Sequence, residues 1–556
     1  MRRPRGRSSQ AVHLDGGVSE HQGDEREMQR EQMIEAARSR EHDVVIVGGG
    51  ATGLGLALDA ASRGFRTLLL EARDFGKGTS SRSTKLIHGG LRYLKQGNVR
   101  LVREASAERG LLLRLAPHLV RPLGFYLPTH GVGEWVRYGL GLEIYGLMAG
   151  RFRIGGVRRV RMGEAQRRFP TLRAEHRRGG FEYWDGQFDD ARYLIHLCRT
   201  AVRYGCTVLN YAPVVGLHRG IHGRVEGVSF VDAETGEQHE VRARVVINAA
   251  GPFVDSVRRL LEPNAERSVI LSRGSHLVVD RRVLPGDRAV IVPETPDGRV
   301  LFLIPWHGRV LIGTTDVHLE TPTVEPTITP EEVRYILKTA EGYLREPIRA
   351  DQIRAAFAGI RALAAPRGLS VERTSDVPRD HVVSISRTGL VTIVGGKWTT
   401  YRWMAEDCLN RVMAAGLLPH RPCRTRAIKL DGYVPHHPAN GFDIWEGAYA
   451  SRKALLMRDE PELGAAVVEG APLRYVDVLW AVREEMARTV EDVLARRTRL
   501  LFLDTHLAAA AALPVARFMA KELGRSGEWI EEQCRSFREL CAALLQPVHD
   551  HFARRA

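Results

Sequence analysis

The chain has 556 residues, 44% hydrophobic and 26% charged, which allows two or three domains with their own cores and excludes a wholly disordered or fibrous protein. The 81 Lys and Arg against 66 Asp and Glu leave a net charge of +15, pointing to anionic partners such as phosphorylated metabolites, nucleic acid or an acidic membrane surface. The six cysteines form no C-x-x-C pair and no metal-finger spacing, which fits a reduced compartment.

Residues 1–40 open with arginines but lack the apolar stretch of a secretory signal, and are expected to form a disordered, solvated leader outside the folded body. No window in the sequence approaches the roughly 18 consecutive apolar residues of a spanning helix, so membrane association is expected to be peripheral.

The first patterned unit is HDVVIVGGGATGLGLALDAASRGFRTLLLEA, residues 42–72. The apolar run 43–47 reads as a buried parallel strand, 51–63 has helical spacing, and 66–71 is a second apolar strand. Gly48, Gly50 and Gly53 satisfy G-x-G-x-x-G at the strand-to-helix turn, with Glu71 closing the second strand. The first glycine makes the tight turn, the second admits a pyrophosphate to the backbone, and the third packs helix on strand. Glu71 can accept hydrogen bonds from a ribose. The unit therefore binds a dinucleotide, NAD or FAD.

Next comes SSRSTKLIHGGLRYL, residues 80–94, which concentrates hydroxyls, cations, a histidine and a Gly-Gly pair. Residues 137–178 carry 11 Arg against Glu143, Glu164 and Glu175, and read either as a basic amphipathic face for anionic lipid or as a solvated helix packed on its own domain. Strands follow over 205–250 and 268–316, the latter suggesting a substantial antiparallel sheet, with a helix over 330–346. A helix is expected after Gly396, then a Pro-, Gly- and His-rich linker over 421–441, then a separate α-helical domain over 440–556. Asn248-Ala249-Ala250-Gly251-Pro252 ends a strand in a sharp turn. Asp189-Asp190 is adjacent carboxylates that diverge, without further ligands, so no metal is assigned.

The motif Ser80-Ser81…Lys85-Leu86-Ile87-His88-Gly89-Gly90-Leu91-Arg92-Tyr93 resembles the signature of FAD-dependent glycerol-3-phosphate dehydrogenases, within the D-amino-acid-oxidase-like flavoproteins. The resemblance continues in order through GGFEYWDGQFDDARY (179–193), VINAAGPFVDSV (246–257), GSHLVVD (274–280), LIPWHGRVLIGTTD (303–316), AGIRAL (358–363), PRDH (378–381), VGGKWTTYRWMAE (394–406) and the helical tail, about residues 42–540. It implies an α/β fold: a Rossmann-like FAD-binding domain interleaved over 41–420 with a substrate domain built on a mixed or antiparallel sheet, mainly 100–200 and 265–365, and a C-terminal helical domain.

It further implies that FAD is the cofactor. The flavin contacts fall on Gly48, Gly50, Gly53, Glu71, Ser80, Ser81, Lys85, Leu86, His88, Gly89, Gly90, Ala249, Gly251, Gly396, Lys397 and Thr399. The reaction implied is oxidation of sn-glycerol 3-phosphate to dihydroxyacetone phosphate by hydride transfer to flavin N5, with a quinone acceptor at the inner, cytoplasmic face of the cell membrane and a homodimer as the candidate assembly. A dianionic substrate needs fixed cations. Arg92, Arg361 and Lys397 are the candidates by motif position, Tyr93 and Thr315 are neutral donors, and His276 is a base if it titrates near neutrality. An oxidase using oxygen, and a non-catalytic FAD-binding membrane-surface protein, are the competing readings. Nucleic-acid binding is set aside because no such module is present. Ala362 stands where relatives commonly have proline, and is expected to loosen Arg361.

Overall fold

The computed structural model describes residues 28–90, 98–293, 295, 299–365, 377, 380–435 and 447–554. Two sheets organise them. The first is eight-stranded, and its main path runs 381–385, 391–395, 238–248, 42–47, 67–70, 207–209. Its centre is parallel: His42–Val47 lies between Thr67–Leu70 and Gln238–Asn248, with Val45 opposite both Leu68 and Val246. The central strands read as unbroken Val, Ile and Leu because both faces are covered. The glycine-rich helix Ala51–Ser62 covers one face and is buried at nearly every position. Small residues let it pack tightly between helices Asp190–Arg203 and Tyr401–Ala414.

The second sheet is ten-stranded. Its long members are Val120–Pro128, Gly179–Phe188, Val269–Asp280 and Ile353–Ala364. Val269–Asp280 pairs antiparallel with Ile353–Ala364 along most of its length, placing Ser272 opposite Arg361 and His276 opposite Phe357. The short strand Leu86–Ile87, inside the motif at 80–94, pairs with Gly179–Phe188 and so joins the dinucleotide domain to the second sheet.

The C-terminal helices pack on the second sheet. Buried residues of Thr505–Leu523 and Gly527–Ala553, among them Ala511, Met519 and Phe537, share one apolar cluster with Phe125, Tyr183 and Phe357 of the second sheet. A helical pattern displays apolar faces but not what they meet, so this packing was not legible in the sequence. The helix expected over 330–346 ends at Glu341, before Gly342. The expected linker is in part structural: Asp431 pairs with Arg199 (2.8 Å) and Arg203 (2.7 Å).

The leader also needs correcting. Residues 1–27 lie outside the described residues, but Arg30–Arg38 is a helix that buries Met33 and Ala37. Arg30 pairs with Asp232 (2.5 Å) and donates to Oδ1 of Asn210 (3.1 Å). An i, i+4 apolar pair and one satisfied arginine suffice to dock two turns of helix against the first sheet.

Candidate active site

A single cavity of about 1200 Å³ runs from the glycine turn to the second sheet, a volume suited to a large cofactor together with small reactants. At the glycine turn each residue has a separate reason to be small. Gly48 has φ +111°, and a Cβ there would lie 2.7 Å from the carbonyl oxygen of Ala249. Gly50 caps the helix Ala51–Ser62 without a side chain. A Cβ on Gly53 would fall 1.8 Å from the Gly48 carbonyl oxygen. Gly48 and Gly50 line the cavity, while Gly53 stands behind them and serves packing. The helix N-terminus points its dipole into the space where a diphosphate would lie.

Glu71 lines the same end. Its Oε2 accepts from the backbone N–H of Gly49 (2.6 Å) and its Oε1 from that of Arg73 (2.9 Å), so both oxygens are fixed and each keeps a lone pair for a ribose hydroxyl. Burial raises its pKa. Ser80 accepts from the N–H of Ala51 (2.9 Å), fastening the 80–90 segment to the start of the helix.

Ala249 and Gly251, Leu86, His88 and Gly90, and Gly396, Lys397 and Thr399 all line the cavity. Three motifs far apart in sequence therefore converge. His88 donates its backbone N–H to Oγ1 of Thr399 (3.2 Å), and Trp398 donates its indole N–H to the carbonyl of Ser80 (2.8 Å). Burial pushes the His88 imidazole down to about 4, helped by the nearby charges of Lys397 and Arg109.

Three expected flavin contacts are placed elsewhere. Lys85 is fully buried beneath the loop, where its Nζ pairs with Asp190 (2.7 Å) and donates to the carbonyl of Ser81 (2.9 Å). Ser81 is turned inward, its carbonyl also accepting from Arg499 (3.0 Å). Gly89 is small because Ser106 and Tyr145 crowd it: a Cβ would meet their oxygens at 2.4 and 2.5 Å. Within a short motif, cavity-facing and core-facing residues have the same composition, so their division was not readable.

At the other end, Arg361 projects from its strand over Gly274, where a Cβ would collide with the guanidinium. Its Nη1 donates to the carbonyl of Thr315 (3.2 Å) and Oγ of Ser272 (3.3 Å), and its Nη2 to Oγ1 of Thr314 (3.1 Å). Ala362 continues the strand opposite Leu271, and the head of Arg361 is held through Thr314, Thr315 and Ser272. Thr315 lines the cavity, but its hydroxyl donates to Glu332 (2.6 Å) and accepts from the N–H of Ser275 (2.9 Å), so it is not the substrate donor expected.

His276 reaches the cavity from mid-strand, stacked on Phe357, with Nε2 against Oγ1 of Thr84 (2.9 Å). Burial, then the charges of Lys85 and Arg361, hold its pKa well below the ordinary imidazole value, so the near-neutral titration expected of it is not met. Its Nδ1 is buried and has no hydrogen-bond partner among the described residues. Arg92 and Tyr93 lie outside the described residues.

Sequence reasoning missed Asp185, which lines the cavity inside the motif at 179–193. It accepts from Arg109 (2.6 Å) and from the hydroxyl of Tyr145 (2.8 Å), both buried. It also missed Arg82, which lines the cavity while paired with Glu325. Among the described residues no cluster of His, Cys, Asp or Glu is arranged to hold a metal ion.

The parallel sheet with its glycine turn, the returning Ala249–Gly251 backbone and the long cavity define a flavin-dependent oxidoreductase, and residues 43–402 match the FAD dependent oxidoreductase family. Residues 386–530 match the C-terminal domain of alpha-glycerophosphate oxidase. The chain is 36% identical over 543 residues to the mitochondrial glycerol-3-phosphate dehydrogenase of Homo sapiens, covering 91% of this chain and 74% of that protein. It is also 36% identical over 525 residues to a probable mitochondrial glycerol-3-phosphate dehydrogenase of Caenorhabditis elegans, covering 89% and 72%. The X-ray structure of the glycerol-3-phosphate dehydrogenase from Bacillus halodurans complexed with FAD superposes with a TM-score of 0.73 at 30% identity, covering 94% of this chain and 99% of that one. The chain thus belongs to the FAD-dependent glycerol-3-phosphate dehydrogenase family, and FAD is its cofactor.

Proposed function

We propose that the protein oxidises sn-glycerol 3-phosphate at C2 to dihydroxyacetone phosphate and delivers the electrons to a membrane quinone. The observation that carries this reading is one cavity lined both by a dinucleotide cradle and by the cations Arg361 and Lys397. When bound, FAD supplies the two-electron acceptor that takes the hydride from C2.

The protein's own groups account for the rest. A small dianion leaving water needs compensating charge, which Arg361 and Lys397 supply in a largely enclosed space. The same cations favour developing alkoxide character at the C2 oxygen, lowering the barrier to proton loss. Neutral His276, which lines the cavity with its Nε2 held by Thr84, is the group that accepts the hydroxyl proton. Its low basicity makes that transfer depend on the neighbouring cations.

The quinone reading is supported by an apolar arm of the cavity, lined by Phe125, Leu127, Tyr138, Leu142, Ile291 and Phe302. Oxygen as acceptor would need no such arm. The arm reaches helix Val132–Met148, whose outer face leaves Val132 (81%), Leu140 (63%) and Leu147 (70%) exposed. Arg151, Arg159, Arg161 and Arg167 are exposed along the chain that follows. An apolar helix face flanked by arginines suits an anionic membrane surface. Among the described residues no helix is long and apolar enough to cross a membrane.

Anaerobic titration tests the proposal: glycerol 3-phosphate bleaches the flavin absorbance and glycerol does not, and a quinone analogue then restores the colour faster than oxygen. A spectrum unchanged by glycerol 3-phosphate would remove the substrate, and faster recovery with oxygen would remove the quinone.

A further inference from the structure

Glu332 lies outside the cavity, at the start of helix Pro330–Glu341, yet it is buried and holds donors from three separate elements. Its Oε1 accepts from the hydroxyls of Thr315 (2.6 Å) and Ser275 (2.8 Å). Its Oε2 accepts from the N–H of Thr329 (3.1 Å), closing the capping box of its own helix, and pairs with Arg273 (2.8 Å). A capping box needs one carboxylate oxygen and one backbone donor. Here the second oxygen is committed to the substrate-domain strand and to the segment after strand Arg309–Gly313.

Both of those contacts lead to reacting groups. Thr315, gripped through its hydroxyl, presents its carbonyl to Arg361 Nη1, while Thr314 beside it accepts from Nη2. Ser275, gripped through its hydroxyl, is followed by His276. The N–H of Ser275 also bonds Thr315 Oγ1 at 2.9 Å, so Glu332, Ser275 and Thr315 form a closed ring of three hydrogen bonds. Such a ring fixes two backbones relative to each other more firmly than separate bonds, because shifting either one breaks two contacts.

We propose that Glu332 is a positioning residue, setting the guanidinium of Arg361 and the imidazole of His276 in register across the cavity by clamping Thr315 and Ser275. This rests on the reading above that Arg361 and His276 act on glycerol 3-phosphate. Loss of the clamp leaves both groups present and the flavin cradle intact, since the cradle is built from the other sheet. Misplacement by about 1 Å is enough to slow a positioned reaction by on the order of a hundredfold.

The test uses holoenzyme carrying Glu332→Gln, Thr315→Val, Thr315→Ser and the Glu332→Gln/Thr315→Val pair, each mixed anaerobically with saturating glycerol 3-phosphate while flavin bleaching is followed. Glu332→Gln and Thr315→Val are expected to slow bleaching tenfold or more with FAD content retained. The double variant is expected to be no slower than the worse single, because both act through one unit. Thr315→Ser, which keeps the hydroxyl, is expected to recover most of the loss. Multiplying losses in the double variant, bleaching within twofold of wild type in the singles, or a serine variant as slow as the valine one would each overturn the proposal. Should Glu332→Gln fail to fold, the valine and serine pair decides alone. The flavin midpoint potential of that pair is a readout independent of substrate. A lower potential in Thr315→Val than in Thr315→Ser reports displaced positive charge near the ring and supports the clamp even if wild type is not bleached. Equal potentials, without a rate difference, count against it.

Discussion

Asp190→Asn removes the buried carboxylate that holds the loop of residues 80–85 to the C-terminal helices. In wild type one of its oxygens takes Lys85 (2.7 Å), the N–H of Ser83 (2.9 Å) and the Ser83 hydroxyl (2.7 Å), and the other takes Arg499 (3.0 Å). All three charged groups are buried. Breaking one member of a buried ion pair costs about 3–5 kcal/mol, because the partner charges stay behind without compensation. With an unfolding entropy of about 2.1 cal/mol/K per residue, a chain of 556 residues that melts cooperatively should lose roughly 3 °C for about 4 kcal/mol. Lys85→Met/Asp190→Asn should regain at least half of that, since the stranded ammonium is gone.

The pH dependence has a definite sign. Burial brings the Lys85 ammonium down to about 8, below its ordinary 10.5, so the folded state binds fewer protons than the unfolded chain and this group's contribution to stability rises as pH climbs from about 8 to 10.5. Without Asp190 the lysine loses its proton at lower pH still, so the deficit of Asp190→Asn should narrow as pH rises toward 8 and level off above it, where the wild-type lysine is itself neutral. Thermal melting followed together with 450 nm absorbance is the assay. Release of FAD from Lys85→Met at temperatures where the protein stays folded would refute the assignment of Lys85 to the fold, and would return it to the cofactor.

Gly53→Ala sets a methyl 1.8 Å from the Gly48 carbonyl oxygen and should abolish flavin retention, read as the ratio of 450 to 280 nm absorbance. Val132→Glu with Leu147→Glu should weaken sedimentation with anionic vesicles severalfold and leave bleaching by glycerol 3-phosphate intact. His88, pushed down to about 4 against an ordinary 6.5, resists protonation in the fold, so stability should fall as pH drops from about 6.5 to 4. His88→Gln should flatten that part of an acid melting series.

The dinucleotide half was legible because its determinants are local. Strand, glycine turn, helix and second strand lie within residues 42–72, and each observed limit falls within one residue of the expected one. The site's far end was legible only as separate motifs: nothing near Arg361 in sequence announces Thr314, which comes from a different strand end. Thr315 illustrates the limit, since its hydroxyl could face substrate or protein, and only Glu332 from a third element decides. Lys85 and Gly89 were misjudged for the same reason, because the groups that claim them, Asp190, Tyr145 and Ser106, are remote in sequence. Asp185 went unread because a carboxylate within an apolar strand acquires meaning only when Arg109 and Tyr145 are seen beside it.

The central claim is that a flavin cradled by the turn at Gly48–Gly53 meets its substrate at Arg361 of the second sheet and Lys397, which follows strand 391–395 of the first. Arg361→Met and Lys397→Met, each purified with FAD and mixed anaerobically with glycerol 3-phosphate, test it most directly. The account predicts full flavin content and bleaching slowed at least a hundredfold in both. Bleaching at the wild-type rate, or flavin lost in step with activity, would contradict it.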